Sequence, residues 1–293
     1  MHKINLLNIK CPLCGISQTK EYIFVKDMTV YKCINCKMMF QDALHLPASG
    51  DKCSETFYSL EQAAIELKTA IENERMRIIQ GHINRDIKGM RILEIGSGLG
   101  VLGNMLKGRQ AEYLGIEPSV SLYNASIRNF PYLESNIKNT YFEEARIDKD
   151  YFDLILMVDV LEHIPDPVGY IKNVRQHLRN GGILYIEIPN EDLLQLKGWV
   201  RRKLDFYFGY PTHPLHVSLF TKNTLSILLR SSGFRPVFVS QNSILGNKSR
   251  MKYLLKKRYS LFVDILCNLF NFSKLDLILQ QGNLIGIGLR DGL

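Results

Sequence analysis

Two groups of residues in this chain have types and spacings that could do chemistry. The first is Cys11-Pro-Leu-Cys14 and Cys33-Ile-Asn-Cys36, separated by the eighteen residues from Gly15 to Lys32. Each Cys-x-x-Cys pair forms a tight turn that aims two thiolates at one point, and two such pairs at this separation suit one tetrahedral zinc. Four thiolates leave no open coordination position, so the expected role is structural. The metal would supply folding energy that so small a module could not gain by burial. The second group is Ile92-Leu-Glu-Ile-Gly-Ser-Gly-Leu-Gly100, followed by Glu117 in Tyr113-Leu-Gly-Ile-Glu-Pro. Gly96, Gly98 and Gly100, with Ser97 among them, let the backbone turn tightly and approach a ligand, which the amides of the next helix then face. Glu117, about twenty residues past the loop, can accept hydrogen bonds from both hydroxyls of a ribose.

These features suit an adenosine cofactor of either common type. Gly98-Leu-Gly-Val-Leu-Gly103 matches the dinucleotide fingerprint literally. Two observations weigh against a dinucleotide. Glu94 ends the strand just before the glycines, where a carboxylate repels a pyrophosphate and suits a cation. The turn also begins at Gly96, directly off the strand, so Gly98 comes too late to be the first dinucleotide glycine.

The elements that must position these groups alternate in type. Strands are expected at 91–95, 112–117, 136–142, 152–158, 182–188, 235–240 and 283–289, and helices at 101–107, 119–129, 168–179 and 221–232. Alternation at this spacing implies βαβ units and a mainly parallel sheet. Gly181 and Gly233 are expected to close helices in the left-handed conformation. The organisation is therefore a zinc-ribbon module over 1–45, a helical linker over 46–89, and an α/β domain over 90–293. Two segments, about 190–219 and 241–281, interrupt the alternation and read as lids or binding surfaces. Cys53 and Cys267 remain as small buried hydrophobes.

Composition bounds the function. Apolar content is 46% and charge content 23%, as in ordinary globular proteins. No apolar run reaches the roughly 20 residues of a membrane span, and the N-terminus lacks the core of a secretory signal, so a reducing cytoplasm is expected. The net charge of +8 is uneven: residues 195–260 hold thirteen Lys and Arg against Asp205, leaving the rest negative. An anionic partner, or a solvated basic face, accounts for that. Within Met251–Phe270, apolar residues and Lys252, Lys256, Ser260, Asp264 and Asn268 fall on separate helical stripes. Such a helix, with Arg201, Arg202 and Lys203, could form a basic rim beside an acceptor, lie on an anionic membrane, or pack on the core.

Five segments in order carry a family resemblance. ILEIGSGLG resembles the first motif of class I S-adenosylmethionine-dependent methyltransferases, and YLGIEPS their second. FDLILMVDVLEHIPDP, from Phe152 to Pro167, is similar to their fourth-strand motif with the LEH phrase of small-molecule members. GGILYIEIP resembles their fifth strand, and HPLHVSLFT, from His213 to Thr221, the segment before their last crossover helix. The resemblance covers residues 90 to about 240. It implies a Rossmann-like seven-stranded sheet with the last strand antiparallel and helices on both faces. It places Glu94 at the cofactor's amino group, Glu117 on its ribose, Phe142 and Glu143 near adenine, and Asp159 at its methionine part.

The acceptor side is less marked. His163, His213 and His216 are candidate bases, His216 first, because methyl transfer to a hydroxyl needs proton removal as the oxygen attacks. His163 reads equally as a structural histidine, and His213 and His216 as loop packing. Metal binding by the last two lacks a carboxylate nearby in sequence. The zinc module with this core resembles methyltransferases of sugar, polysaccharide and natural-product pathways, and points to oxygen or carbon methylation of a small anionic acceptor. An RNA methyltransferase, whose phosphates the basic segment would meet, and a non-catalytic cofactor-binding module are the alternatives.

Overall fold

The structure, a computed structural model, describes residues 8–25, 28–41, 61–83, 86–191, 216–242 and 283–292. The basic rim residues Arg201, Arg202 and Lys203, the stripe of Met251–Phe270, His213, Cys53 and Cys267 all lie outside these residues.

Three short strands open the chain: β1 (Thr19–Val25), β2 (Met28–Cys33) and β3 (Met39–Gln41). A long helix α1 (Glu61–His82) follows. Then come β4 (Arg91–Ile95), α2 (Val101–Gly108), β5 (Glu112–Ile116), α3 (Val120–Asn129), β6 (Ile137–Lys138), β7 (Phe152–Val158), α4 (Pro167–His177), β8 (Leu178–Pro189), β9 (Ser218–Leu219), α5 (Lys222–Ser231), β10 (Arg235–Asn242) and β11 (Asn283–Leu289). Seven strands form one sheet in the order β10-β11-β8-β7-β4-β5-β6. The pairs β4·β5, β4·β7, β5·β6 and β7·β8 are parallel, and β11 runs antiparallel to both neighbours. This is the mainly parallel α/β sheet expected from the alternation, and its seven strands with an antiparallel last strand are the Rossmann-like sheet that the family resemblance implies.

Successive residues of the central strands feed opposite faces, as the pleat requires. Leu93, Ile95, Ile155 and Met157 join Ile171 and Val174 of α4 and Leu225, Leu228 and Leu229 of α5. Ile92, Leu154, Leu156, Ile285 and Ile287 face the other way, onto Met76 and Ile79 of α1 and Leu102 and Leu106 of α2. Helices therefore cover both faces. The helix expected to link module and domain packs on the sheet itself.

Two local expectations need correction. The third strand of the domain is only Ile137–Lys138, and Phe142 begins a 3-10 turn, Phe142–Glu144. Helix α4 stops at His177, and the chain enters β8 at Leu178. Gly181, at φ 70°, lies not at a helix end but in an irregularity of β8, where pairing with β7 jumps from Phe152↔Leu178 to Leu154↔Ile183.

A buried ion pair ties α1 to the sheet. Arg75 and Glu187 are 2% and 0% exposed; Arg75 Nε and Nη2 donate to the two Glu187 oxygens at 2.7 and 3.0 Å. Tyr185 Oη donates to the same carboxylate at 3.0 Å and Asn283 Nδ2 at 2.8 Å, so both oxygens are doubly satisfied. Glu72, one helical turn before Arg75, supplies a further carboxylate. Burial, the largest single influence, would raise the Glu187 pKa; the Arg75 charge and the hydrogen bonds from Arg75, Asn283 and Tyr185 together outweigh it and lower the pKa. Removing one partner of such a pair strands a buried charge. Arg75→Met is expected to lower stability to urea by about 3–5 kcal/mol, and the double change with Glu187→Leu by much less. A loss in the single variant no larger than in the double would show that the pair does not hold α1.

Candidate active site

The carboxyl ends of the parallel strands, where an open α/β sheet binds its ligand, bring the expected cofactor residues together. From β4 the chain turns through Gly96 to Gly100 into α2. Gly96 and Ser97 both donate their amides to Ile116 O, at 2.8 and 3.0 Å, which ties the loop to the end of β5. A Cβ on Gly98 would meet nothing within 4 Å, and its φ of 53° is left-handed. That is open space over a bare backbone beside a helix start, the cradle a close-bound ligand needs.

Glu117 follows β5 and is buried. Its oxygens accept from the Gly98 amide at 2.8 Å and the Ser119 amide at 2.9 Å, which fixes the carboxylate against the glycine loop. Burial raises its pKa, and the two amide bonds act against that rise. Asn139 Nδ2 holds the Glu117 carbonyl at 2.8 Å. Glu94 is buried at the end of β4 and accepts from Tyr113 Oη at 2.6 Å. Burial pushes its pKa up to about 8. Gly103 is explained by the same contact: a Cβ there would come within 2.5 Å of the Tyr113 ring. The third glycine of the apparent dinucleotide pattern thus makes room for a tyrosine, and serves no phosphate.

Asp159 lies just past β7 with φ 54°, a left-handed geometry that costs a non-glycine residue of order 1 kcal/mol and collects at functional sites. Its amide donates to Glu187 O at 2.9 Å. Lys68, Glu72 and Arg75 of α1, together with Glu187, act on its carboxyl electrostatically. The same three α1 residues act on Glu94. The cleft therefore sets four acids, Glu72, Glu94, Asp159 and Glu187, around two bases; burial resists the ionisation of Glu94 and Asp159, and a cationic ligand, unlike a pyrophosphate, favours it. Phe142 is packed in the core, its ring 5.4 Å from those of Tyr170 and His177, while Glu143 is exposed.

On the acceptor side, a 3-10 turn Leu161–His163 follows Asp159. His163 and His216 meet edge-on with ring centroids 5.0 Å apart. Glu162, His163 and His216 offer ligand atoms within 4.8 Å of one another, so the carboxylate absent from the sequence around His216 arrives from another element. Such a set can take up a proton or hold a divalent cation. Glu162 is buried, and burial first, then the Asp159 charge, raises its pKa well above the usual range. Lys68, Glu72, Arg75, Glu187 and Tyr113 were not singled out in the sequence. Two signals pointed to the four charged ones: charges at helical spacing in α1, and an acid inside the apolar strand LYIEIP, which has to find a buried partner.

The four cysteines converge as well. Cys11 and Cys36 sulfurs are 3.6 Å apart, as are those of Cys14 and Cys33, and all four lie within 4.8 Å. Thiolates around one zinc, at about 2.3 Å each, sit about 3.8 Å apart, so the donor set fits that ion. Each pair is followed by a left-handed residue, Gly15 at φ 73° and Lys37 at φ 66°, which closes the turn.

Residues 67–239 match a family model described as a methyltransferase domain. Ubiquinone biosynthesis O-methyltransferase of Coxiella burnetii is 31% identical over 121 residues, 40% of this chain and 50% of that protein. The enzyme of the same name from Cereibacter sphaeroides is 28% identical over 165 residues, 51% of this chain and 62% of that one. The chain thus spans about half the length of the first of these relatives. Among solved structures, Haemonchus contortus phosphoethanolamine N-methyltransferase 2 in complex with S-adenosyl-L-methionine superposes with a TM-score of 0.60 at 13% identity, over 92% of this chain and 71% of that one. With the sheet order, the glycine loop and the acids at its strand ends, these matches show that the chain belongs to the class I S-adenosylmethionine-dependent methyltransferases.

Proposed function

We propose that this enzyme methylates a small anionic acceptor, a sugar, nucleotide sugar or polysaccharide-pathway intermediate, and that its N-terminal cysteines hold a structural zinc. The observation that carries the reading is the meeting of His216 with His163, on the turn that follows Asp159 in the chain. S-adenosylmethionine supplies an electrophilic methyl group when bound. Glu117 would accept from the ribose hydroxyls, Gly96, Ser97, Gly98 and Gly100 would cradle the ligand, and Glu94 and Asp159 would hold its cationic end. Exposed Glu143 would meet the adenine, and buried Phe142 would serve as packing. His216, paired with His163, takes the acceptor's proton as its oxygen attacks. Holding both reactants in line supplies much of the rate. The name of the bacterial relatives favours oxygen over carbon as the accepting atom.

The acceptor reading is tested by incubating the full chain with labelled S-adenosylmethionine and separate pools of nucleotide sugars, glycolipid, ubiquinone precursors and ribosomal RNA. Label in the sugar or glycolipid pool is expected. Label confined to RNA would replace the reading, as the charge of residues 195–260 would then be a phosphate-binding surface.

Cofactor affinity should depend on Glu117. Glu117→Ala is expected to weaken S-adenosylmethionine binding by about 1–3 kcal/mol in calorimetry; unchanged affinity would remove the residue from the ribose. Elemental analysis of protein purified without chelator should find one zinc per chain, and Cys33→Ser should abolish it.

Glu94 generates a pH dependence. Its folded-state pKa of about 8 lies above the ordinary value of 4.5, so the folded protein holds an extra proton between them. Stability without cofactor should therefore fall as pH rises from about 5 to about 8 and level off above that. Glu94→Gln should flatten the melting temperature across this window. An unaltered slope in the variant would mean that Glu94 is already ionised in the fold.

A further inference from the structure

The cysteine module and the candidate acceptor site share one sheet. Strand β3 pairs with β2 on one side and with β9 on the other, in the order β1-β2-β3-β9, with Met39 opposite Leu219 and Phe40 opposite Ser218. Strand β9 is two residues long, and among the described residues it pairs with β3 alone. So short a strand has no stability of its own. Its place is set by what lies on either side of it.

Both sides are defined. On the module side, the Gln41 amide donates to Val217 O at 2.9 Å and Gln41 Nε2 donates to His216 O at 2.8 Å. On the domain side, the Val217 amide donates to Glu162 O at 2.8 Å and Ser218 Oγ to Ile164 O at 2.8 Å. His216 is thus clasped between Gln41 and the turn that carries Glu162 and His163. Gln41 lies only a few residues beyond Cys36, and the Cys33 amide donates to Met38 O at 2.9 Å, so the second cysteine turn runs directly into β3. Cys11, Cys33, Met38 and Phe40 belong to the same apolar cluster as Leu161 and Phe220.

We propose that the cysteine module is a positioning element for methyl transfer: metal at the four thiolates fixes β3, and Gln41 of β3 fixes His216 against His163 and Glu162. This rests on the zinc and His216 assignments made above. It extends the structural role expected of four closed thiolates from the module itself to the site beside it. The module forms one wall of the acceptor side, and its metal state sets the geometry of the histidine pair.

The test uses the full chain. Hydrogen–deuterium exchange is followed with metal bound and after its removal by chelator, with metal content measured in both samples. On removal, amides of residues 216–220 should exchange about tenfold faster or more, in step with 28–41, while 91–95 and 112–116 keep their rates. Faster exchange confined to 28–41 would overturn the coupling. A second arm does not depend on the metal. Gln41→Ala should shift the His216 imidazole carbon–proton signal, assigned by its loss in His216→Gln. Met39→Leu, which alters the same strand without touching the His216 carbonyl, should leave it in place. An unmoved signal in a folded Gln41→Ala protein overturns the role of Gln41. Protein that contains no metal as purified overturns the zinc reading and the metal's part in this one, and the Gln41 arm still decides whether β3 positions His216.

Discussion

Arg75 and Glu187 are both withdrawn from water, and neither could remain there without the other. Their ion pair is the contact on which the geometry of the cleft depends. Glu187 lies near the end of β8, beside the strand that leads to Asp159, and Asn283 of β11 shares its carboxylate. Arg75 brings α1 down onto that strand end, and with it Glu72 and Lys68, which lie one and two turns earlier on the same face. A helix with a weakly apolar face would be held loosely by burial alone. The charge pair fixes both its rotation and its height, so that α1 forms a wall of the cofactor cleft and not merely a cover for the sheet.

The same low dielectric shapes the rest of the cleft. Glu72, Glu94, Asp159 and Glu187 act on one another in one small volume, and burial raises the pKa of Glu94 and Asp159, as it does that of Glu117 close by. Carboxylates gathered this way repel one another and any pyrophosphate, and they are relieved by a cation. Local packing then decides which way each acid faces. Tyr113 holds Glu94, and two backbone amides hold Glu117. The tyrosine fits because Gly103 and Gly115 present no side chain to it. A glycine pattern that reads as phosphate binding in one dimension is, in three, partly the footprint of an aromatic ring.

The acceptor side is built by a different principle. Its candidate groups come from a one-turn helix and from the residues that lead into a two-residue strand, elements too short to define their own positions. Backbone hydrogen bonds to the cysteine module and to the Glu162–Ile164 turn supply the constraint instead. A four-cysteine ribbon that takes up a metal as proposed is suited to this, since its stiffness would come from coordination and need no large core.

Much of this was open to inference from residues alone, because it follows from local rules. Strands 91–95, 152–158 and 283–289 match their expected bounds, since apolar runs bounded by turn residues leave little choice. The glycine loop and Glu117 sit together at the strand ends because chain connectivity forces a βαβ turn there. The two cysteine pairs converge because each turn is local and the intervening hairpin brings them together. Only tertiary structure decided the rest. A one-dimensional pattern does not say that Arg75 pairs with Glu187, that Phe142 is packed in the core, or that Glu162 meets His216. Each of these is a contact between residues far apart in the chain, chosen by the need of a buried charge for a partner and of a short strand for a neighbour. The sequence contained the groups; the fold determined which of them face one another.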